Sequence, residues 1–380
     1  LHGFKYKHPF DGHGLINRFQ IRDNTFSYRG IRVKTEHYQM EKACGRMLFR
    51  GLNTNVSNNP FFVENFSNIS VFHHNNEVQS LSEGGIPYII DIEKCETVGR
   101  KFNFIHPLIP FFPISAHPKI DNNKVVNFSG LLSGLVLFND NGIITQELFP
   151  DSEKYYSHDF AITENYYVFY LNNISIDVMK IYGKGTILEG MEFNKGNRIL
   201  MIHKTTLKKQ YFDIPEYYDR NSIHIALARE NEDSVTMDIY LSFVAKDFKM
   251  NEIITPHSFE GCYLHKMHLN IHTGVVDVVK LSGTSGEMPV VSDDDKIFLI
   301  NKNSLLRYDT KTERLTTKRF DDQIVEEPVI YGNKLFLIGH CGNETFIHVF
   351  DIDTLECLRV ERFPFQVPYG FHGTFVPSLR

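Results

Sequence analysis

The chain has 380 residues, 42% hydrophobic and 23% charged, with a net charge of −6. That is globular composition with length for a sizeable core, and it lacks the basic surplus by which a nucleic-acid binder advertises itself. No apolar run reaches the roughly 20 residues that span a bilayer, and the 5 scattered cysteines form no Cys-x-x-Cys pair, which excludes a zinc knuckle or disulfide framework and suits a reducing cytoplasm.

Leu1 is not a start methionine and lies just before a motif, so the sequence is expected to begin inside a longer chain. From there, short apolar stretches recur between Asn, Asp and Gly turns. Ile89-Ile-Asp-Ile-Glu-Lys-Cys-Glu-Thr97 is an early case. Next comes the apolar segment from Phe104 to Ile114, whose three prolines forbid a regular helix or central strand; it reads as a buried loop or as an apolar lip touching membrane or a lipophilic ligand. Gly134-Leu-Val-Leu-Phe138, Lys296-Ile-Phe-Leu-Ile300, Leu335-Phe-Leu-Ile338 and Ile347-His-Val-Phe-Asp-Ile352 are strand-like. The phrase "apolar strand, then Asp-x-x-Thr" returns at Asp309 and Asp351. A strand and tight hairpin repeated along a chain with no dividing linker predicts a propeller over a sandwich, and seven blades would take about 54 residues each, near known repeat lengths.

Common chemistries are absent. There is no GxxxxGK[ST] loop, no HExxH and no GxSxG, and the spacing of Gly183, Gly185 and Gly190 is wrong for a dinucleotide loop. The Asn-x-Ser/Thr sequons reflect an Asn-rich composition.

The aromatic residues, 32 Phe and 18 Tyr with no Trp, predict Phe-rich interior walls, and 18 His leave imidazoles to spare. Four of these stand among small or apolar neighbours: His117, His158, His224 and His372. A buried neutral imidazole needs a metal or a carboxylate as partner. Their wide spacing excludes a local metal loop and suits inner strands of different blades converging on one axis.

These contexts resemble the carotenoid cleavage oxygenase family, collinearly and over nearly the whole chain. The matching stretches are Phe10-Asp-Gly-His-Gly-Leu15 with Tyr28-Arg-Gly-Ile-Arg-Val33, Asn53-Thr-Asn-Val56, Leu81-Ser-Glu-Gly-Gly-Ile-Pro-Tyr88, His117-Pro-Lys-Ile-Asp121, His158-Asp-Phe-Ala-Ile-Thr163, Gly286-Glu-Met-Pro289, Glu327-Pro-Val329 and Val367-Pro-Tyr-Gly-Phe-His-Gly-Thr-Phe375. The resemblance implies an all-β, seven-bladed β-propeller over 1–380 as a single domain, with a loop and short-helix cap over an axial metal site. It implies Fe(II) on the axis, held by His117, His158, His224 and His372. Behind them it implies the carboxylates Glu83, Glu287 and Glu327, paired with His158, His224 and His372 respectively, leaving His117 without one. Such carboxylates fix the tautomer that presents Nε2 to a metal.

The activity implied is that of a non-haem Fe(II) dioxygenase, which cleaves a conjugated C=C bond of a carotenoid or apocarotenoid to aldehyde or ketone products. Its partners are a lipophilic polyene and O2, with no nucleic acid, in a cytoplasmic protein that touches membrane peripherally. Stilbene-cleaving relatives typically carry Lys immediately before the first of these Glu residues, whereas Ser82 stands here. Stilbenoid cleavage, a retinyl-ester isomerohydrolase-like activity and a non-catalytic propeller are the alternatives. The chain is also shorter than usual members, which predicts brief connections and a reduced cap.

Overall fold

Two-residue turns set the register of the sheets. In the computed structural model, which describes residues 6–56, 65–101, 114–131, 134–150, 153–182, 185–232, 235–244 and 259–377, the pairs Asp23-Asn24, Asn75-Asn76 and Asn122-Asn123 all have positive φ. They close the hairpins at Arg22/Thr25, His74/Glu77 and Asp121/Lys124. Asn and Asp enter the left-handed region more cheaply than other non-glycine residues, and the resulting turn matches the right-handed twist of the strands. Part of the Asn-rich composition is thereby explained. The Asp-x-x-Thr phrase has its own role: Asp309 Oδ1 accepts the Lys311 and Thr312 N–H groups, and Asp351 Oδ1 accepts those of Asp353 and Thr354. Each turn then ends on a residue of positive φ, Glu313 or Leu355.

The hairpins build an all-β propeller. Among the described residues, six sheets of four or more strands occupy residues 70–100, 119–148, 155–213, 222–280, 287–319 and 324–363, here blades 1 to 6. The expected seven blades are thus six. The seventh place is taken by a two-stranded hairpin, Leu15–Arg22 with Thr25–Arg32. It closes the ring by packing: Phe19, Phe26 and Tyr28 meet Ile347, Val349 and Phe363 of blade 6, while Ile31 and Val33 meet Val78, Tyr88 and Ile90 of blade 1. Each neighbouring blade covers part of the hairpin, which buries Phe26 and Ile31.

Each pair of neighbouring sheets shares an apolar core. Between blades 2 and 3, Phe128 stands edge-on to Phe160 and Phe169, with centroids 5.4 and 5.3 Å away. Phe243, Phe298 and Phe350 are equally buried between other sheets. Among the described residues the abundant Phe therefore fills the seams between blades; of the residues lining the axial cavity only Phe72 is aromatic apart from imidazole.

The innermost strand of every blade is its first, and all run the same way. The turns between first and second and between third and fourth strands consequently lie at one end of the ring. Connections from second to third strand, and from one blade to the next, lie at the other. All seven predicted site residues belong to this second end. So does α2 (Val178–Tyr182). Arg50 Nη2 donates to the carbonyls of Ile181 and Gly185, tying this region to the chain after α1 (Glu36–Cys44). The segment from Phe104 onward falls outside the described residues until Ile114, as does much of the sequence expected to form the cap. Among the described residues, no helix is long and apolar enough to cross a membrane.

Candidate metal centre

Each histidine is delivered to the axis by a different device. His117 and His158 sit just before the inner strands of blades 2 and 3 and are joined through Ser115: its Oγ accepts the His117 N–H at 3.1 Å and donates to the His158 carbonyl at 2.8 Å. His224 lies inside the strand Ser222–Glu230, where the register slips between Ser222 and Ile225; such a bulge re-aims a side chain out of the normal alternation. His372 follows the last strand and is clipped to blade 1, its N–H donating to Ile69 O at 3.2 Å and its carbonyl accepting from Val71 N at 3.3 Å.

The four rings meet. Centroids of the described neighbouring pairs are 4.5–5.1 Å apart, with interplanar angles of 69–81°. One nitrogen from each ring lies within 4.8 Å of the others, a group able to hold a metal ion. The Nε2 atoms of His117 and His158 approach to 2.9 Å. Nitrogens about 2.1 Å from a shared cation would be about 3 Å apart when adjacent and about 4 Å when opposite, so the arrangement fits one. A second observation agrees: His224 Nε2 is buried with no hydrogen-bond partner, a state that costs about 1–3 kcal/mol unless something binds there.

The three carboxylates stand beside three of the rings, at unequal distances. Glu287 Oε2 is 3.0 Å from His224 Nδ1 and accepts the Met288 N–H; Glu327 Oε1 is 2.8 Å from His372 Nδ1, and its Oε2 accepts the Gly373 N–H at 3.2 Å. Glu83 Oε2 stands farther off, 3.4 Å from His158 Nδ1, and accepts the Ala116 N–H at 3.1 Å. No carboxylate reaches the His117 ring among the described residues. Burial and then the three neighbouring imidazoles hold His117 well below the ordinary histidine range. For His158 burial also opposes the charge, but the carboxylates of Glu83, Asp159 and Glu287 together outweigh it and the net shift is upward.

Sequence reasoning missed three further groups. Tyr156 Oη is 3.1 Å from His158 Nδ1, and burial followed by the Glu83 charge pushes its phenol well above the usual range. Asp159 is 4% exposed; its Oδ1 meets Lys119 Nζ at 2.9 Å and the Phe160 N–H at 2.8 Å, and its Oδ2 accepts the Ile225 N–H at 3.3 Å. It thus joins chain adjacent to His117, His158 and His224. The signal was present, since Lys119 and Asp159 stand within the quoted His-Pro-Lys and His-Asp-Phe motifs. From the imidazoles a cavity of about 330 Å³ continues along the inner strands, past Lys119, Val71 and Val291.

Comparison with known proteins agrees with this geometry. The family model described as retinal pigment epithelial membrane protein matches residues 1–377. Carotenoid 9,10(9',10')-cleavage dioxygenase 1 of Phaseolus vulgaris is 23% identical over 97% of this chain and 80% of that protein. Apocarotenoid-15,15'-oxygenase of Synechocystis is 27% identical over 45% of this chain and 39% of its own. Among solved structures, cobalt-substituted Synechocystis apocarotenoid oxygenase superposes with a TM-score of 0.82 over 96% of this chain and 88% of that one, at 19% identity; at that identity the likeness speaks for the fold. With the family model matched almost end to end, the chain belongs to the retinal pigment epithelial membrane protein family, the carotenoid cleavage oxygenases.

Proposed function

We propose that the protein is a non-haem Fe(II) dioxygenase that cleaves a conjugated C=C bond of a carotenoid or apocarotenoid, giving two carbonyl products. The observation that carries this reading is the meeting of four imidazoles at one end of the propeller axis, three of them with a carboxylate near Nδ1. His117, His158, His224 and His372 would hold the ion through their axial nitrogens. Ferrous iron, when bound, supplies the redox chemistry toward dioxygen, whose two atoms end in the two carbonyl groups.

The chain's own contribution is positional. Glu287 and Glu327 accept the Nδ1–H of His224 and His372, which keeps Nε2 free for the ion. Together with Glu83 they offset the charge of a dication that four neutral ligands leave uncompensated. No side chain is required as general acid or base, because the substrate gains both oxygen atoms and loses no proton. What remains is to hold one double bond of the polyene near the centre and to exclude water. We assign that task to a cap built partly from connections at this end of the ring, and peripheral membrane contact to the Pro-rich segment beginning at Phe104.

Ser82 argues for a polyene over a stilbenoid. It is buried, and its Oγ donates to Asn65 Oδ1 at 3.0 Å; no ammonium group is available there for a phenol. The test is to load the protein with iron and offer a carotenoid, an apocarotenal, a hydroxystilbene and a retinyl ester in turn, measuring O2 uptake and product masses. One O2 consumed per polyene cleaved is the expected result. Cleavage of the stilbene alone, or ester conversion without O2 uptake, would overturn the proposal.

A further inference from the structure

Glu326 and Glu327 are adjacent in the sequence, and Glu327 is the one that reaches a ligand histidine. Glu326 turns into blade 6, where it is 5% exposed. A buried carboxylate is costly unless it is paired and hydrogen-bonded. This one is both: its Oε1 accepts from His340 Nε2 at 2.6 Å and from the Gly370 N–H at 3.0 Å. His340 and Thr345, also buried, face each other across the second and third strands of the blade, with His340 Nδ1 3.4 Å from Thr345 Oγ1. That hydroxyl in turn accepts the Val367 N–H at 3.0 Å. Resting on the metal-site reading above, we propose that Glu326, His340 and Thr345 form a clamp that positions His372 by gripping the chain that leads to it.

The course of the chain supports the clamp. The last strand ends at Phe363, and no strand pairing holds the backbone again until the bridge at His372. Over that stretch the backbone hangs on side chains: the Val367 N–H on Thr345, the Pro368 carbonyl on Asn17 Nδ2 at 2.6 Å, and the Gly370 N–H on Glu326. Just past the histidine, the Gly373 N–H donates to Glu327 Oε2. Adjacent carboxylates thus take amides on either side of His372. Their own backbone is fixed to blade 6, where the Glu326 N–H donates to the Ile338 carbonyl at 2.9 Å. Two packing details fit the same role. Tyr369 lies against the His340 ring, with centroids 4.4 Å apart. A Cβ on Gly370 would come within 3.1 Å of Glu326 Oε2, so glycine lets the chain approach closely. Glu326 acts through backbone two residues from the ligand and is a positioning residue.

The test compares Glu326→Ala with Glu326→Gln, whose amide oxygen can still accept both hydrogens. Thr345→Val, which keeps the shape and removes the hydroxyl, is the third variant. In metal-free protein, amide hydrogen exchange reads the clamp residue by residue. Glu326→Ala should speed exchange at Gly370 and His372 about tenfold beyond any change in the strands of blade 6. Thr345→Val should do so at Val367 and His372, and Glu326→Gln should stay near the parent. With Co(II) as the probe, Glu326→Ala should weaken binding about tenfold and shift the visible ligand-field bands, and Glu326→Gln should restore both. Unchanged exchange at His372, unaltered bands and affinity in folded Glu326→Ala, or a Gln variant no better than Ala overturns the clamp. Should Glu326→Ala fail to fold, Thr345→Val decides by the same readings. A parent protein that binds no Co(II) overturns the metal reading instead, and exchange at His372 still decides the clamp.

Discussion

Replacing Glu287 tests how far the centre depends on a group that never touches the ion. Its side chain is 1% exposed. Oε2 faces His224 Nδ1 at 3.0 Å and also takes the Met288 N–H. In Glu287→Ala both hydrogens lose their acceptor inside the protein, at about 1–3 kcal/mol for each buried group left unpaired. Glu287→Gln keeps the volume and an acceptor oxygen but brings an amide N–H₂ that can donate to Nδ1, which allows the tautomer carrying hydrogen on Nε2. That nitrogen then cannot bind a cation, the same logic by which an Asp→Asn change misorients a catalytic histidine. Loss of such a partner lowers metal affinity 10–100-fold by general experience, about 1.4–2.7 kcal/mol. We expect both variants to fall in that range, with Gln no better than Ala although it preserves packing. Chelator competition with Co(II) measures the affinity, and urea unfolding of the metal-free protein separates the stability cost. Parent-like affinity in a folded Glu287→Gln would refute the tautomer argument.

Other consequences can be measured as readily. Asp159→Asn discards the ion pair with Lys119 and weakens the tie to Ile225, so Co(II) binding should fall about tenfold with the cobalt spectrum altered; normal binding would remove Asp159 from the positioning of the ligands. Burial holds His265 and His348 at about 4, below the ordinary value near 6.5. Since the unfolded chain takes up protons there that the folded chain refuses, metal-free protein should lose stability as pH falls from about 6.5 to about 4, by at most about 1.4 kcal/mol per pH unit for each histidine. Urea midpoints at pH 7, 6 and 5 read the slope, and His348→Phe should flatten it. Ile31→Ala, at a residue 1% exposed between the hairpin and blade 1, should cost about 2–5 kcal/mol in unfolding free energy; a loss below 1 kcal/mol would mean that the hairpin does not close the ring.

Much of the centre was legible because its parts are short motifs with a chemical reason. His117, His158, His224 and His372 stood among apolar neighbours, and family resemblance linked them to Glu83, Glu287 and Glu327. The fold class followed from strand-length alternation and turns. The blade count did not, since Leu15–Arg22 and Thr25–Arg32 look like any other hairpin, and only packing against blades 1 and 6 tells whether two further strands join them. Composition likewise says that Phe is buried, not which seam buries it. Tyr156 was invisible because only the fold shows its hydroxyl 3.1 Å from His158 Nδ1.

His372 leads a double life. The residue that offers a nitrogen to the axis is also the one whose backbone is stitched to the edge of blade 1 at Ser70. Occupancy and this fastening are thereby linked: an ion bound at a hundred times its dissociation constant adds about 2.7 kcal/mol against unfolding, and part of that energy acts where the segment after blade 6 is pinned to blade 1.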